Sequence, residues 1–349
     1  MMNASGRLKQ MKVKRIGLCI ALAVLSVAGV RTIYPSYSQD ILLTRLLLNP
    51  ENAAQRKVGA LDFVAAWEMR SRNDNFGGIS ALSAIGDGQF VGIGDAGTWI
   101  RFNLNGNAHI TGSSIARLPA LQGPEISFRD RDSEGIAYDP ASGQFWVSFE
   151  GRHAIRRYSE SFGQQTGITR PVQIQDWPRN KGAECIIRLR DGRFIVIAES
   201  VDDGTHPALL FSGDPVEQGS AVTAFRFRPP TGYRVTDGVQ LPDGRIAIIN
   251  RAIGFPGGFS AKVSFMDSLA IGRGRIVSAK VIASLAAPLL VDNLEGITAT
   301  EEGQDTYLWL VSDNNFSIFQ RTLLMKFRLP GRPDNKKPAT LTATGSNSV

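Results

Sequence analysis

Carboxylate side chains recur along this sequence at nearly regular intervals and in a nearly constant context. Each precedes a small residue and then a β-branched one, in Glu134-Gly135-Ile136, Glu184-Cys185-Ile186, Asp237-Gly238-Val239 and Glu295-Gly296-Ile297. A weaker copy, Gly77-Gly78-Ile79, has glycine where the others have the acid. The β-branched residues are spaced by 57, 50, 53 and 58 positions. Such a row would place one carboxylate per repeat at the same structural level.

A second set of polar side chains closes the strand that returns from each repeat's hairpin. Turn signals such as Asp191-Gly192 and Pro242-Asp243-Gly244 separate the two strands. A hairpin brings the start of its first strand and the end of its second to the same edge. We therefore expect both sets to crowd one mouth of a central channel. The second set is Asp95, Glu150, Glu199, Asn250 and Asp313.

Several carboxylates that converge on a narrow channel repel one another and are costly to leave unpaired. A divalent cation or basic partners would relieve that repulsion. Because the candidate ligands are all oxygen atoms, they select a hard ion, and we expect a Ca²⁺ or Mg²⁺ site. The predicted metal ligands are Glu134, Glu184, Asp237 and Glu295, followed by Asp95, Glu199, Asn250 and Asp313.

Basic side chains stand in the same loops. Guanidinium and ammonium groups there would suit a phosphate or carboxylate substrate. The alternative is that arginines and acids merely neutralise each other between neighbouring repeats, or that each acid binds its neighbour's backbone. The predicted substrate-binding residues are Arg131, Arg152, Lys181 and Arg251.

The elements that must position these residues are short strands. A period of about 50 residues built from strands and tight turns is typical of one blade of a β-propeller. Five such blades fill residues 60–330, and a sixth could lie in a divergent stretch, for example within 199–236 or 251–292. The strands Leu61–Met69 and Leu323–Leu329 are placed to share a blade and close the ring. The predicted fold is an all-β propeller of five or six blades, spanning residues 58–330.

The two ends of the chain differ in composition from the repeats. Residues 1–38 hold six lysines and arginines and no acid, and an apolar run covers residues 16–30. They predict a signal peptide and export to the periplasm, or alternatively an anchor in the inner membrane. These six cations account for all but one of the formal net charge of +7. We therefore expect no nucleic-acid partner. Membrane contact is expected only through this segment, if it is not cleaved, and the protein is expected to be a monomer.

Three further segments complete the sequence-based expectations. Residues 39–57 predict a connector with a short helix near Ile41–Leu48, and residues 331–349 a disordered tail. Cys185 occupies a small-residue position, which indicates a buried structural thiol. His206 is expected to be a solvated loop residue, with a proton donor above the channel as the alternative. The strand tryptophans Trp146 and Trp309 are expected in the core.

Several of these motifs together resemble the phytase-like family of exported bacterial proteins, known for the "esterase-like activity of phytase". The resemblance covers residues 60–330 and implies a β-propeller that hydrolyses phosphate or other esters. The residues that carry it are Phe76-Gly77-Gly78-Ile79-Ser80, Asp132-Ser133-Glu134-Gly135-Ile136, Asn293-Leu294-Glu295-Gly296-Ile297, Ser312-Asp313-Asn314-Asn315-Phe316 and Gln320-Arg321-Thr322-Leu323-Leu324.

Two functions therefore stand as expectations. The first is a calcium-dependent hydrolase in which an ion holds the substrate oxygen and a carboxylate acts as general base, with Glu134 and Glu295 as catalytic residues. The second is a non-catalytic propeller of the cell envelope that binds a ligand or a protein. No G-x-S-x-G motif supports a serine nucleophile.

Overall fold

Strands dominate the computed structural model, which describes residues 37–119 and 130–331. Within these ranges the regular elements are strands and two short 3₁₀ turns, Val172–Ile174 and Ser268–Ala270. The strands are β1 (Leu42–Leu46), β2 (Lys57–Val58), β3 (Leu61–Arg70), β4 (Ile79–Gly86), β5 (Gln89–Gly94), β6 (Thr98–Leu104), β7 (Ile110–Arg117), β8 (Ser133–Asp139), β9 (Gln144–Phe149), β10 (Ala154–Tyr158), β11 (Gln165–Thr169), β12 (Ala183–Arg188), β13 (Phe194–Ala198), β14 (His206–Phe211), β15 (Val222–Arg228), β16 (Arg234–Gln240), β17 (Ile246–Gly254), β18 (Gly258–Met266), β19 (Ile276–Ser278), β20 (Lys280–Leu285), β21 (Leu294–Glu302), β22 (Asp305–Ser312) and β23 (Thr322–Leu329).

The strands form five sheets, which are the blades of a propeller. Blade 1 is β4-β5-β6-β7, blade 2 is β8-β9-β10-β11, and blade 3 is β12-β13-β14-β15-β19. Blade 4 is β16-β17-β18-β20, and blade 5 is β21-β22-β23-β3-β1 with β2 on β3. The innermost strands β4, β8, β12, β16 and β21 contact one another in a closed cycle. The predicted propeller is confirmed, and five is the number of blades in the described residues.

Blade 5 closes the ring with strands from both ends of the chain. β3 pairs antiparallel with β23, from Thr322 opposite Met69 to Arg328 opposite Asp62. This is the predicted closure, and it leaves no open edge between the first and last repeats. The short helix expected near Ile41–Leu48 is wrong. Residues 42–46 form β1, which pairs with β3 from Leu42 opposite Arg70 to Leu46 opposite Ala66. The backbone N–H and C=O groups at the edge of β3 need hydrogen-bond partners, and a strand supplies them whereas a helix would not.

Apolar side chains pack between neighbouring blades in five clusters. Between blades 5 and 1, Trp309 lies edge-on to Phe90 at a ring distance of 4.8 Å. Between blades 2 and 3, Trp146 packs on Phe194 at 4.9 Å. Both tryptophans are 3% exposed, so the core assignment is confirmed. The blades are therefore held to one another by side-chain packing, which fixes the inner strands around the channel.

The termini lie largely outside the described residues. This applies to the predicted signal peptide or anchor, apart from residues 37 and 38, and to the predicted tail, apart from residue 331. In the ranges that the structure describes, no helix is long and apolar enough to cross a membrane.

Candidate functional site

Each inner strand has a break in its ladder register at the end where the chain enters it. The breaks fall between Ile79 and Ala81, Ser133 and Ile136, Ala183 and Cys185, Val235 and Asp237, and Leu294 and Gly296. Such a bulge leaves one or more residues unpaired and re-aims the side chain. We call this end of the channel the acidic mouth. The bulged positions are Ser80, Glu134 with Gly135, Glu184, Thr236 and Glu295.

The bulges correct the alignment of the repeats. In blade 4 the bulged residue is Thr236, whereas Asp237 pairs with Ile249 in the position that Cys185 and Gly296 occupy elsewhere. In blade 1 it is Ser80 rather than Gly77. The residue equivalent to the motif acid is therefore Thr236 in blade 4, one position before Asp237, and Ser80 in blade 1, three positions after Gly77.

Asp237 consequently has a different environment from the other motif acids. Its side chain is buried, and its two oxygens accept the backbone N–H groups of Gly238 at 2.8 Å and Ile297 at 2.9 Å. Burial raises its pKa well above the usual range, and the two N–H donors oppose that rise. Asp237 thus ties blade 4 to the inner strand of blade 5, which is the backbone-binding alternative stated for these acids.

The ends of the second strands form another equivalent set. In four blades the residue after the second strand donates its backbone N–H, at 2.9 Å, to the chain entering the inner strand. These residues are Asp95, Glu150, Glu199 and Asp313. In blade 4, Arg251 takes this position, because it pairs with Arg234 while Asn250 pairs with Val235.

Asn250 is therefore one residue before the predicted position. It is fully buried, and its amide donates to Ser264 Oγ at 2.9 Å and to the carbonyl of Lys262 at 3.3 Å, both within blade 4. Its side-chain amide is used inside the blade, and an arginine takes its expected place at the mouth.

Five carboxylates gather between blades 2 and 3. One group is Asp132, Glu134 and Glu150, and the other is Glu150, Glu184 and Glu199. Within each group, one oxygen from every residue lies within 4.8 Å of the others. Glu150 belongs to both groups and so joins them into one array.

Two members of this array were not among the predicted ligands. Glu150 was expected at the mouth but not as a ligand. Asp132 was missed because Gly78, Gly182 and Asn293 hold the equivalent positions, so no repetition marks it. The only signal was its place two residues before Glu134 in the motif Asp132-Ser133-Glu134.

Burial and mutual repulsion perturb these carboxylates. Burial is the largest cause raising the pKa of Glu150 to about 7, and Asp132 and Glu199 raise it further. Burial also raises the pKa of Glu134 well above its usual range, with Glu184 and Asp132 adding to the effect. Asp132 is within hydrogen-bond reach of the carboxyls of Glu134 and Glu150, and burial raises its pKa as well. In the described residues, none of these three forms an ion pair with a lysine or arginine.

The other side of the mouth has its own cation. Arg251 donates hydrogen bonds to Glu295 and Asn293 and lies 4.0 Å from Glu199. Arg234 is 3.4 Å from Glu199 as well. Burial raises the pKa of Glu295 to about 8, and Arg251 opposes that rise. The two predicted catalytic acids therefore differ, since Glu295 is paired with Arg251 whereas Glu134 forms no ion pair with any residue that the structure describes.

Asp95 and Asp313 occupy the mouth between blades 5 and 1. The pKa of Asp95 is raised to about 7, mainly by burial and then by the nearby charges of Asp313 and Asp132. Its Oδ1 is buried and has no hydrogen-bond partner in the described structure. The glycines of the first motif make room for it. A Cβ on Gly78, whose φ is +59°, would lie 2.2 Å from Asp95 Oδ1, and one on Gly77 would lie 2.8 Å from Asn314 Oδ1.

The predicted substrate-binding cations have different surroundings. Arg251 is engaged as described above, and Arg152 forms an ion pair with Asp130. Arg131 and Lys181 directly precede the equivalent residues Asp132 and Gly182, and neither makes an ion pair within the described ranges. These two are therefore the cations most able to turn to a ligand at the mouth.

Two residues with a potential for chemistry are part of the core. Cys185 is fully buried, as predicted. His206 is fully buried rather than solvated, and its Nδ1 is 2.8 Å from the carbonyl of Ala198. Burial lowers its pKa to about 4, so the imidazole is neutral near pH 7. The expectation of a solvated loop histidine is therefore wrong.

The opposite end of the channel holds a cavity of about 440 Å³. Its lining includes Tyr138, Arg188, Gln240 and Thr300, which lie towards the ends of the inner strands. Arg188 is bound to Asp139 at 3.0 Å. The carboxylate array is absent from this lining, so the channel has one acidic end and one of mixed character.

Comparison with known proteins gives one family and several distant structural likenesses. Residues 74–316 match the model of the phytase-like family, described as "esterase-like activity of phytase". Glutaminyl cyclase from Myxococcus xanthus is 11% identical with a TM-score of 0.45, over 78% of this chain and 97% of that one. A nidogen–laminin complex is 10% identical with a TM-score of 0.42, over 73% and 87% of the two chains. Hydrazine synthase from Kuenenia stuttgartiensis is 12% identical with a TM-score of 0.39, over 68% and 77%. No curated protein sequence matches the chain.

Proposed function

Because this chain belongs to the phytase-like family, we propose that it is a metal-dependent hydrolase of phosphoesters or other esters. The acidic mouth is the proposed site. The observation that carries the proposal is the array around Glu150, in which two groups of three carboxylates share one member. Such a concentration of buried acids is stabilised when a divalent cation replaces the protons that hold it together.

The donor set fits a hard ion. It consists of carboxylate oxygens without sulfur or imidazole, which suits Ca²⁺ better than zinc or copper. Asp132, Glu134 and Glu150 would hold the ion, since their group has no arginine partner in the described residues. Glu184 and Glu199 would complete the site from blade 3. When bound, the ion supplies a Lewis acid for the ester oxygen.

Residues of the chain supply the remaining steps. Glu134, which forms no ion pair in the described residues, would accept a proton from the attacking water as the new bond to phosphorus or carbon forms. The ester bond then breaks, and the leaving alcohol oxygen would take that proton from Glu134. Arg131 and Lys181 would contact the anionic part of the substrate. Arg251, held by Glu295, would border the mouth and limit its negative charge, with Arg152 further out beside Asp130.

For the location of the protein, the proposal is export to the periplasm through residues 1–38, with retention as an inner-membrane anchor as the alternative. The partner is a small anionic or ester substrate, and the protein acts as a monomer. The basis for the location is the cationic and apolar leader in the sequence.

A hydrolysis screen tests the function. The full chain is assayed on p-nitrophenyl phosphate, inositol hexakisphosphate, p-nitrophenyl acetate and a δ-lactone, with Ca²⁺ and with EDTA. We expect turnover of at least one ester with Ca²⁺ and its loss in EDTA. Glu134→Gln should lower kcat by about 10²-fold or more, whereas Glu301→Gln, an exposed acid at the other end of β21, should not. Binding of Ca²⁺ without turnover of any ester would instead favour the non-catalytic alternative.

A further inference from the structure

We call the side of the propeller on which the acidic mouth opens the mouth face. Two loops on this face expose large apolar side chains. In blade 4 the β17–β18 hairpin extends beyond Arg251 and carries Ile253, 74% exposed, and Phe255, fully exposed at its tip. In blade 5 the loop between β22 and β23 carries Ile318, 82% exposed, and Phe319, 74% exposed. The equivalent loops of blades 1 and 2 begin Asp-Ala-Gly and Glu-Gly-Arg and have no such residues. Exposed apolar groups on neighbouring loops of one face mark a contact surface.

The described chain begins on this same face. The carbonyl of Ser38 accepts a hydrogen bond from Asn73 Nδ2 at 2.7 Å. Asn73 belongs to the segment that leads into the mouth end of β4. That segment also contacts the blade 5 loop, since Gly78 donates its N–H to Asn314 Oδ1 at 3.0 Å and a Cβ on Gly77 would lie 3.2 Å from the ring of Phe316.

The apolar run of the leader is close to this point along the sequence. Its last residue, Val30, precedes Tyr37 by seven positions. Seven residues of extended chain span at most about 25 Å, at about 3.5 Å per residue. In the inner-membrane alternative for residues 1–38, the bilayer that holds the run would lie within that distance of Tyr37 and so close to this face. Tyr37 itself is 72% exposed.

We propose that the mouth face docks on a lipid bilayer, with the apolar tips of blades 4 and 5 in the headgroup region. Phenylalanine and isoleucine on projecting loops suit partial burial among lipid headgroups and upper acyl chains. The β17–β18 ladder continues three residue pairs beyond Arg251, to Gly254 opposite Gly258, so Phe255 lies at the tip of a hairpin and not in a groove that would hold a peptide. The proposal goes beyond the hydrolase assignment and does not depend on turnover at the mouth.

An environment-sensitive label tests the docking in the full chain. Cys19→Ser leaves Cys185, which is fully buried, as the one remaining cysteine in the sequence. A nitrobenzoxadiazole label is then placed at Phe319→Cys or Phe255→Cys. The matched control is Leu269→Cys, since Leu269 is 90% exposed but follows the end of β18 that pairs with Ile246, away from the mouth. The probe is vesicles of phosphatidylethanolamine and phosphatidylglycerol, with and without doxyl-labelled lipid.

The expected result is a blue shift, a several-fold rise in emission and doxyl quenching at positions 255 and 319, none of them at 269. The shift should persist at high salt, since apolar insertion is not screened as charge attraction is. The proposal is overturned if the chain binds vesicles without these changes, or does not bind them. It is also overturned if the emission shifts with protein concentration in the absence of vesicles, which would indicate self-association.

Discussion

Arg251 in blade 4 donates a hydrogen bond to the carboxylate of Glu295 in blade 5. The equivalent residues of the other blades are all acids, namely Asp95, Glu150, Glu199 and Asp313. The protein therefore carries a cation of its own on one side of the mouth. Asp132, Glu134 and Glu150 have no such partner in the described residues, and this asymmetry distinguishes a neutralised side from a side suited to an added ion.

Replacing Arg251 should destabilise the protein in a pH-dependent way. Arg251 opposes the rise in the pKa of Glu295, so Arg251→Met leaves a buried acid that ionises at a still higher pH. We expect a loss of roughly 1 kcal/mol in the free energy of unfolding near pH 9, where most of Glu295 is ionised beside Arg251, and much less near pH 5, where Glu295 is protonated. Urea denaturation measures both values. The double variant Arg251→Met/Glu295→Gln should recover most of the loss, and equal losses at both pH values would contradict the account.

The metal-free protein should lose stability as the pH rises from about 5 to about 8. The pKa values of Asp95 and Glu150 are raised to about 7 and that of Glu295 to about 8, mainly by burial. The folded state therefore holds more protons than the unfolded state in this interval, so the free energy of unfolding falls with increasing pH. Melting curves in EDTA should show a declining midpoint. The rise produced by Ca²⁺ should be larger at pH 8 than at pH 5.5, because protons compete with the ion, and a midpoint independent of pH in EDTA would contradict this.

Gly78 should not tolerate a side chain. Its φ of +59° is unfavourable for other residues, and a Cβ would lie 2.2 Å from Asp95 Oδ1. Gly78→Ala should therefore lower the free energy of unfolding by about 1–3 kcal/mol. The control is Gly106→Ala, where no atom lies within 4 Å of the new Cβ. Similar free energies of unfolding for the two variants would contradict the expected clash between a Cβ at position 78 and Asp95.

Asp237 should prove structural. The carboxylate of Asp237 accepts hydrogen bonds from two backbone N–H groups. In Asp237→Asn the side-chain NH₂ would replace one of the two acceptors, so one of these N–H groups would lose its partner. We expect a loss of about 1–3 kcal/mol in unfolding free energy, with the calcium-induced rise in melting temperature unchanged. Asp87→Asn, in an exposed turn, serves as the control. Loss of the calcium effect in Asp237→Asn would restore the original prediction that Asp237 is a ligand.

Much of the fold was predictable because it follows from local signals that recur. The period of about 50 residues, the turn residues and the alternating strands identify the blades, and the first and last strands of the repeat region identify the closure. The prediction of a helix near Ile41–Leu48 failed because the strand Leu42–Leu46 depends on pairing with the edge of β3, whose residues lie 20 to 28 positions further along the chain.

The site was only partly predictable because bulges shift the frame of the repeats. Thr236-Asp237-Gly238-Val239 fits the motif in one frame, but the bulge in β16 places Thr236 at the mouth and turns Asp237 to a backbone. The repeat position of Asp132 is held by other residue types in the other blades, so repetition does not mark it as a ligand, and its proximity to Glu150 appears only in the fold. The pairing of Arg251 with Glu295 joins two blades, and local sequence does not encode it.

Isothermal titration of Ca²⁺ into the metal-free full chain at pH 7.5 tests the central claim most directly. Glu150 is shared by both carboxylate groups, so Glu150→Gln should lower calcium affinity by about 10-fold or more, while the control Glu301→Gln should bind like the parent. Removing one of the clustered acids should leave the metal-free melting point equal or higher, which separates lost binding from lost folding. Saturable binding that disappears in Glu150→Gln is the predicted result. No binding by the parent chain, or equal binding by both variants, would contradict the metal site.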